Sequence, residues 1–185
     1  MGTIAQDFSP MSAKSNYFKA TPGEHRLRVL GQSISGWLYW LDTPDGGRKP
    51  VRLTLDQNPP VSEAETVKKF LAFPIWNYEL EKVQIWEVTQ STIQQRLKSL
   101  DQDKEWGALS EYDLGLERTG TDKNNTKYQV TPKPKSELSK EVKKAVEEGL
   151  PVLEALYKNE DPFKFNPNAT EDVDQEELDK TFKEG

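Results

Sequence analysis

KFLAFPIWNYELEKVQIWEVTQ, residues 69–90, reads as two short strands and the turn that joins them, and it carries Phe70, Phe73, Trp76, Tyr78 and Trp86. A hairpin lying on a core keeps one apolar face, and water accepts the other only if it is mostly polar. This hairpin is apolar on both. Side chains alternate across a strand, so the parity of the turn decides which rings share a face. An even-length turn groups Trp76 and Tyr78 with Val83 and Ile85. An odd-length turn sets Leu71, Phe73, Ile75, Val83 and Ile85 on one face, with Phe70, Trp76, Tyr78, Gln84 and Trp86 on the other. The odd-length pairing is expected, because it divides an aliphatic core face from a face rich in rings. Pro74 has no N–H for a ladder, so the first strand should be an edge or carry a bulge there.

Working outward, HRLRVLG and SGWLYWLDT read as strands, the second ending at the turn PDGG, and KPVRLTLD follows. After the hairpin, TQSTIQQRLKSLDQD places Ile93, Leu97 and Leu100 on one stripe and offers a capping box at Ser91 and Gln94, which predicts an amphipathic helix of about three turns. YDLGLERTG and TKYQVTPKPK then alternate again around the polar link GTDKNN. Strands, one helix and a closing hairpin predict a mainly β chain with some α, in the order of an OB-fold, the small partly open β-barrel that binds oligonucleotides or oligosaccharides. Beyond residue 135, Ser136 or Ser139 can cap a helix with Val142, Val146 and Leu150 at helical spacing. Gly149 and Pro151 should divide that segment into two short helices.

The 185 residues suit one domain with an extension. They contain no cysteine, which excludes disulfides, thiolate zinc sites and cysteine nucleophiles. The single histidine, His25, follows a Pro-Gly turn with no serine motif to make it a general base, so it reads as a turn or strand-edge residue. No P-loop, dinucleotide or zinc-protease motif occurs, and Asp101, Asp103, Asp172 and Asp174 read as solvated acids, not metal ligands. The chain is therefore expected to be no enzyme and to need no cofactor and no metal. No apolar run approaches the roughly 20 residues that cross a bilayer, so no membrane partner is expected. The opening MGTIAQDFSPMSAK lacks the basic and apolar regions of a secretory signal, which makes the cytoplasm the expected compartment.

Charge is unevenly spread. Residues 1–135 hold 18 Lys and Arg against 17 Asp and Glu, whereas residues 136–185 hold 7 against 14. Within TEDVDQEELD, residues 170–179, Glu171, Asp172, Asp174, Glu176, Glu177 and Asp179 stand without a base. Such a run repels itself and buries little, so a flexible acidic tail is expected from about residue 159.

With GWLYW, the hairpin gathers eight of the chain's 18 aromatic residues. Bases flank them: Arg48, Lys49 and Arg52 before, Lys68 and Lys69 at the hairpin's start, and Lys127, Lys133 and Lys135 in the last strand. Interleaved rings and cations suit unpaired nucleic acid, since bases stack on rings for roughly 1–3 kcal/mol each while Lys and Arg follow the phosphates. The nucleic-acid-binding residues expected on this ground are Trp37, Trp40, Trp76, Tyr78 and Trp86 for bases and Arg48, Lys49, Arg52, Lys69, Lys127 and Lys133 for phosphates. The alternative is a structural or adaptor protein whose aromatic face meets another protein. A nuclease using tail carboxylates is the third and weakest reading.

KEWGALSEYDLGLERTGTDKNNTKYQVTPKPK, residues 104–135, following WNYELEKVQIWEVTQSTIQQ, carries Trp-Gly, Tyr-Asp, Arg-Thr-Gly and Lys-Tyr-x-Val-x-Pro-Lys-Pro in one order. This series resembles a family of bacteriophage single-stranded DNA-binding proteins, closely over about residues 65–136 and loosely in the N-terminal strands. The resemblance implies an OB-fold that coats single strands in phage replication and recombination. It also implies an acidic tail that contacts other replication or recombination proteins, here the six acids above together with Phe182. Some phage single-strand binders hold a structural zinc, and this chain departs from them in lacking the ligands. The domain organisation that follows is an N-terminal arm at 1–23, the single-strand-binding OB-fold at 24–135, a helical segment at 136–158 and the acidic tail at 159–185. A homo-oligomer or a cooperative assembly on DNA is compatible with this reading, and the compartment would be the host cytoplasm for a phage-encoded chain.

Overall fold

The computed structural model describes residues 16–60 and 66–164. The expected tail residues Glu171, Asp172, Asp174, Glu176, Glu177, Asp179 and Phe182, and most of the arm, lie outside them. Seven strands form an antiparallel sheet: β1 (Gly23–Val29), β2 (Ile34–Asp42), β3 (Arg48–Leu53), β4 (Lys68–Asn77), β5 (Lys82–Val88), β6 (Tyr112–Thr119) and β7 (Lys127–Lys135). Their hydrogen-bonded order is β3-β2-β4-β1-β6-β7, with β5 pairing β4 off that path. The mainly β expectation holds at this level. The barrel is corrected: among the described residues β3 and β7 stand at the two ends of the pairing order, and the sheet does not close. Pro50 in β3 and Pro132 and Pro134 in β7 fit end strands, because proline cannot supply a ladder N–H. Among the described residues no helix is long and apolar enough to cross a membrane.

Two compact units, each of two chain segments, share out these elements. Of the described residues, one comprises 16–30 and 73–137, the other 31–60, 66–72 and 138–164. In the first unit, β1 pairs β6 and the end of β4, so that Leu27 lies opposite Leu114 and Asn77, and Val29 opposite Ile75. These apolar residues are at most 3% exposed and form the core. Helix α1 (Ser91–Gln102) packs on β7 and contributes Ile93, Leu97 and Leu100, as the stripe predicts. Its expected capping box is not formed. Gln90 occupies the cap position without a side-chain bond, and Gln94 Nε2 instead donates to the Val88 carbonyl at 2.9 Å. Residues 16–18 add a short parallel bridge to β5, with Phe18 N–H donating to the Ile85 carbonyl at 2.8 Å.

The second unit holds β2, β3 and the first half of β4, with α2 (Lys140–Glu148) and a 3-10 helix (Leu153–Lys158). Ser139 caps α2 by accepting from the Val142 N–H, and Gly149 ends it at a φ of 122°, a conformation that glycine adopts freely. The two helices expected across Gly149 and Pro151 are thus present, the second as a 3-10 turn. β4 is not the edge strand that Pro74 suggested. It pairs β2 through Ala72 and β1 from Ile75 onward, and Pro74 stands where the partner changes, its carbonyl accepting from the Leu30 N–H at 2.8 Å.

Gly36 in β2 is required by close approach. A Cβ there would lie 2.0 Å from the Leu53 carbonyl oxygen and 3.0 Å from Phe70 Cε1. Gly115 in β6 differs, because its Cβ would meet only the movable ends of Glu24 and Lys133, at 2.8 and 3.1 Å. Gly36→Ala is therefore expected to cost about 1–3 kcal/mol, the range for forcing extra volume into a packed site, and Gly115→Ala distinctly less. Urea unfolding of the two variants beside the parent checks the order.

Candidate nucleic-acid interface

The four residues between β4 and β5, Tyr78 to Glu81, make the connection even in length. Two side-chain contacts agree with that parity: Asn77 Nδ2 donates to Gln84 Oε1 at 2.9 Å, and the Phe73 and Trp86 ring centroids are 6.2 Å apart. The odd-length grouping is corrected accordingly. Trp76 and Tyr78 share one face, while Phe73, Gln84 and Trp86 share the other. Trp86 lies in the core, edge-on to Phe18 at 6.2 Å. Trp76 and Trp86 are each only 4% exposed, so neither offers a ring face to a base in this conformation.

On the face carrying Trp76, the β1 register sets Arg28 opposite Trp76 and Asp113, and Arg26 opposite Gly115. Lys127 and Lys133 occupy positions of β7 that face the same way as Thr131, the partner of Gly115. Asp113 is the centre of this face. Its carboxylate accepts from Arg26 Nε at 2.9 Å, Arg26 Nη2 at 2.8 Å, Arg28 Nη1 at 3.1 Å and the Tyr78 hydroxyl at 2.8 Å. Arg28 is spent entirely on the fold. Its remaining donors reach the Ser110 carbonyl at 2.9 Å, Ser136 Oγ at 3.1 Å and the Ser136 carbonyl at 2.6 Å, and it is 2% exposed. The Arg26 side chain, in contrast, is 55% exposed and lies over the Tyr78 ring, 5.6 Å from its centroid. Lys133 crosses Gly115 to pair with Glu24 at 3.0 Å. Sequence reasoning passed over Arg26 and Asp113. The signal was a charge held at alternate positions of otherwise apolar strands, in HRLRVL and YDLGL.

His25 points to the opposite side of β1. It is buried, with Nε2 donating to the Thr21 carbonyl at 2.7 Å and Nδ1 3.1 Å from Glu79 Oε1. It ties the entry of β1 to the β4–β5 turn, so it is a core residue of that end and not a strand-edge one.

The second unit distributes the remaining residues over two faces. Trp37 lies between Leu53 and Lys69, Tyr39 opposite Val51, and Leu41 opposite Lys49, all on one face. On the other, Leu38 lies between Arg52 and Lys68, Trp40 opposite Pro50, and Asp42 opposite Arg48, with which it pairs at 3.4 Å. This second face also carries Phe70, which meets the Tyr157 ring at 6.3 Å, and the Tyr157 hydroxyl donates to the Ser35 carbonyl at 2.6 Å. The 3-10 helix thus covers part of it. The first face is exposed at its margins, although Tyr39 within it is buried. Lys69 Nζ stands 5.3 Å from the Trp37 ring centroid, Trp37 Nε1 reaches toward the Leu55 carbonyl at 3.4 Å, and Leu41 and Leu55 are 38% and 50% exposed. Trp37 and Lys69 are therefore brought together, with Lys49 four strand positions away on the same face, whereas Trp40, Arg48 and Arg52 are directed away from them.

No family model matches the chain, and no curated protein or solved structure matches it either. Among the described residues no group of three or more His, Asp or Glu is placed to hold a metal ion.

Burial, then the hydrogen bond to Asp113 and its charge, push the Tyr78 hydroxyl up to about 12. Burial, then the charge of Asp101, do the same for Tyr112, also to about 12. A tyrosine whose folded value exceeds its ordinary 10.0 favours the folded state below pH 10.0, and that contribution is lost as pH rises through the folded value. Unfolding free energy should fall between about pH 10 and 12, and Tyr78→Phe should flatten the fall, as read from denaturant midpoints across that range. Trp86→Ala should cost about 3–5 kcal/mol in the same unfolding assay at neutral pH, as expected of a core indole.

Proposed function

We propose that the protein binds single-stranded DNA without strong sequence preference, without catalysis, through the Trp37 face of the sheet in its second unit. The observation that carries this reading is the Trp37 ring with Lys69 against it and Lys49 on the same face. A ring accepts any base by stacking, and neighbouring ammonium groups follow the phosphates, a combination that binds unpaired strands with little preference for sequence. The likeness of residues 65–136 to phage single-strand binders supports the same function in replication and recombination. An OB-type relationship belongs to this proposal too, and it rests on the order of strands, helix and closing hairpin, not on closure. The acidic tail would then serve as the docking peptide for partner proteins.

The exposure of Leu41 and Leu55 favours a second reading, in which the face docks a protein. Titration of the intrinsic tryptophan fluorescence with oligo(dT), against a duplex of equal length, separates the two. Saturable quenching by the single strand alone is expected. Trp37→Ala should weaken binding by about 1–3 kcal/mol, and Lys69→Ala should reduce the slope of log K against log salt by about 0.7. Absence of quenching, or equal affinity for duplex, would leave the protein-interface reading.

A further inference from the structure

We propose that the polar face of the first unit holds one nucleotide of its own, with the base laid on the Arg26 guanidinium and the phosphate on Lys133. This rests on the single-strand-binding reading above and adds to it a site that Trp37 does not contain. Two N–H groups of Arg26 donate to the same oxygen of Asp113, at 2.9 and 2.8 Å. Both bonds lie in the guanidinium plane, so the carboxylate fixes that plane and leaves its faces free of hydrogen bonds. The Arg26 Cζ lies over the Tyr78 ring, 5.6 Å from its centroid, and the side chain is 55% exposed. A planar cation already held in orientation and open to solvent is a stacking surface for a nucleobase, as guanidinium planes are in the recognition of unpaired strands. Pre-organisation matters because no side-chain freedom is lost when the base arrives.

Asp113 does not compete for the ligand, since four donors already occupy it in the interior. Glu24 does. It lies on the surface, 60% exposed, and pairs with a Lys133 side chain that is itself 30% exposed. The pair closes over Gly115, the residue directly opposite Arg26. A surface ion pair of this kind contributes little to stability, so a phosphate can take the carboxylate's place. Glu24 thus holds the phosphate position in the free protein.

The test compares the full chain with Arg26→Lys and Glu24→Gln on oligo(dT) and on an abasic oligonucleotide of equal length, over a salt series. Arg26→Lys keeps the charge and loses the plane. It should weaken oligo(dT) binding on the order of five- to tenfold, leave the salt slope unchanged, and bind the abasic strand as the parent does. Glu24→Gln should bind both strands more tightly, with a slope steeper by about 0.7. Retained affinity in Arg26→Lys overturns the stacking half, and an unchanged slope in Glu24→Gln overturns the phosphate half. Should Arg26→Lys not fold, Glu24→Gln still decides, because a nucleotide absent from this face gives Lys133 no phosphate to gain. A parent that binds no single strand at all refutes the function itself, whereas a binding parent with both variants unchanged refutes only this site.

Discussion

A carboxylate buried among strands must be matched by donors, and Asp113, 3% exposed, meets that condition with two arginines and a tyrosine. The first unit is organised around it. Arg26 and Arg28 come from β1, Tyr78 from the turn after β4, and Arg28 continues to Ser110 before β6 and Ser136 after β7. Removing one partner of such a cluster leaves an uncompensated charge in the interior, which costs far more than the pair gains over an apolar substitute. The cluster therefore selects a register as much as it adds stability. A shift of β1 by one residue would carry both arginines into the core that Leu27 and Val29 fill.

That requirement also sorts the cations by availability. Two arginines two residues apart on one strand look equivalent in HRLRVL, yet the fold consumes Arg28 and presents Arg26. In the second unit the sorting is by face: Lys49 and Lys69 share the side of Trp37, while Arg48 and Arg52 share the side reached by Tyr157. A count of bases near rings overstates a binding surface for this reason, since alternation sends half of them elsewhere.

The strands, the PDGG turn, the α1 stripe and the break at Gly149 and Pro151 were legible because each is written in local periodicity or turn chemistry. Hairpin parity was not. Both faces of residues 69–90 are apolar, so hydrophobicity could not choose between the groupings, and the four-residue turn chose instead. The capping box failed because Gln94 reached back to Val88, a competitor that the local motif does not contain. Openness of the sheet depends on long-range pairing, which local periodicity does not carry. Pro74 suggests an edge or a bulge; the strand is internal, and the ladder breaks at Pro74 where it exchanges one neighbour for another. The composition of each unit from two separated segments left no trace in linear order.

The prolines of β7 have a consequence for assembly between copies. Proline is tolerated at an outer strand only where its N–H would point away from the ladder. Pro132 and Pro134 thus remove the outward donors from the second half of that strand. An incoming chain could not continue the sheet there as an added strand, the route by which exposed edges template fibres and swapped dimers. Crowding many copies along a shared ligand would bring such edges together repeatedly, and this one lacks donors over half its length. A neighbour along that stretch finds backbone acceptors but no matching donors, so side chains have to supply the rest of any contact.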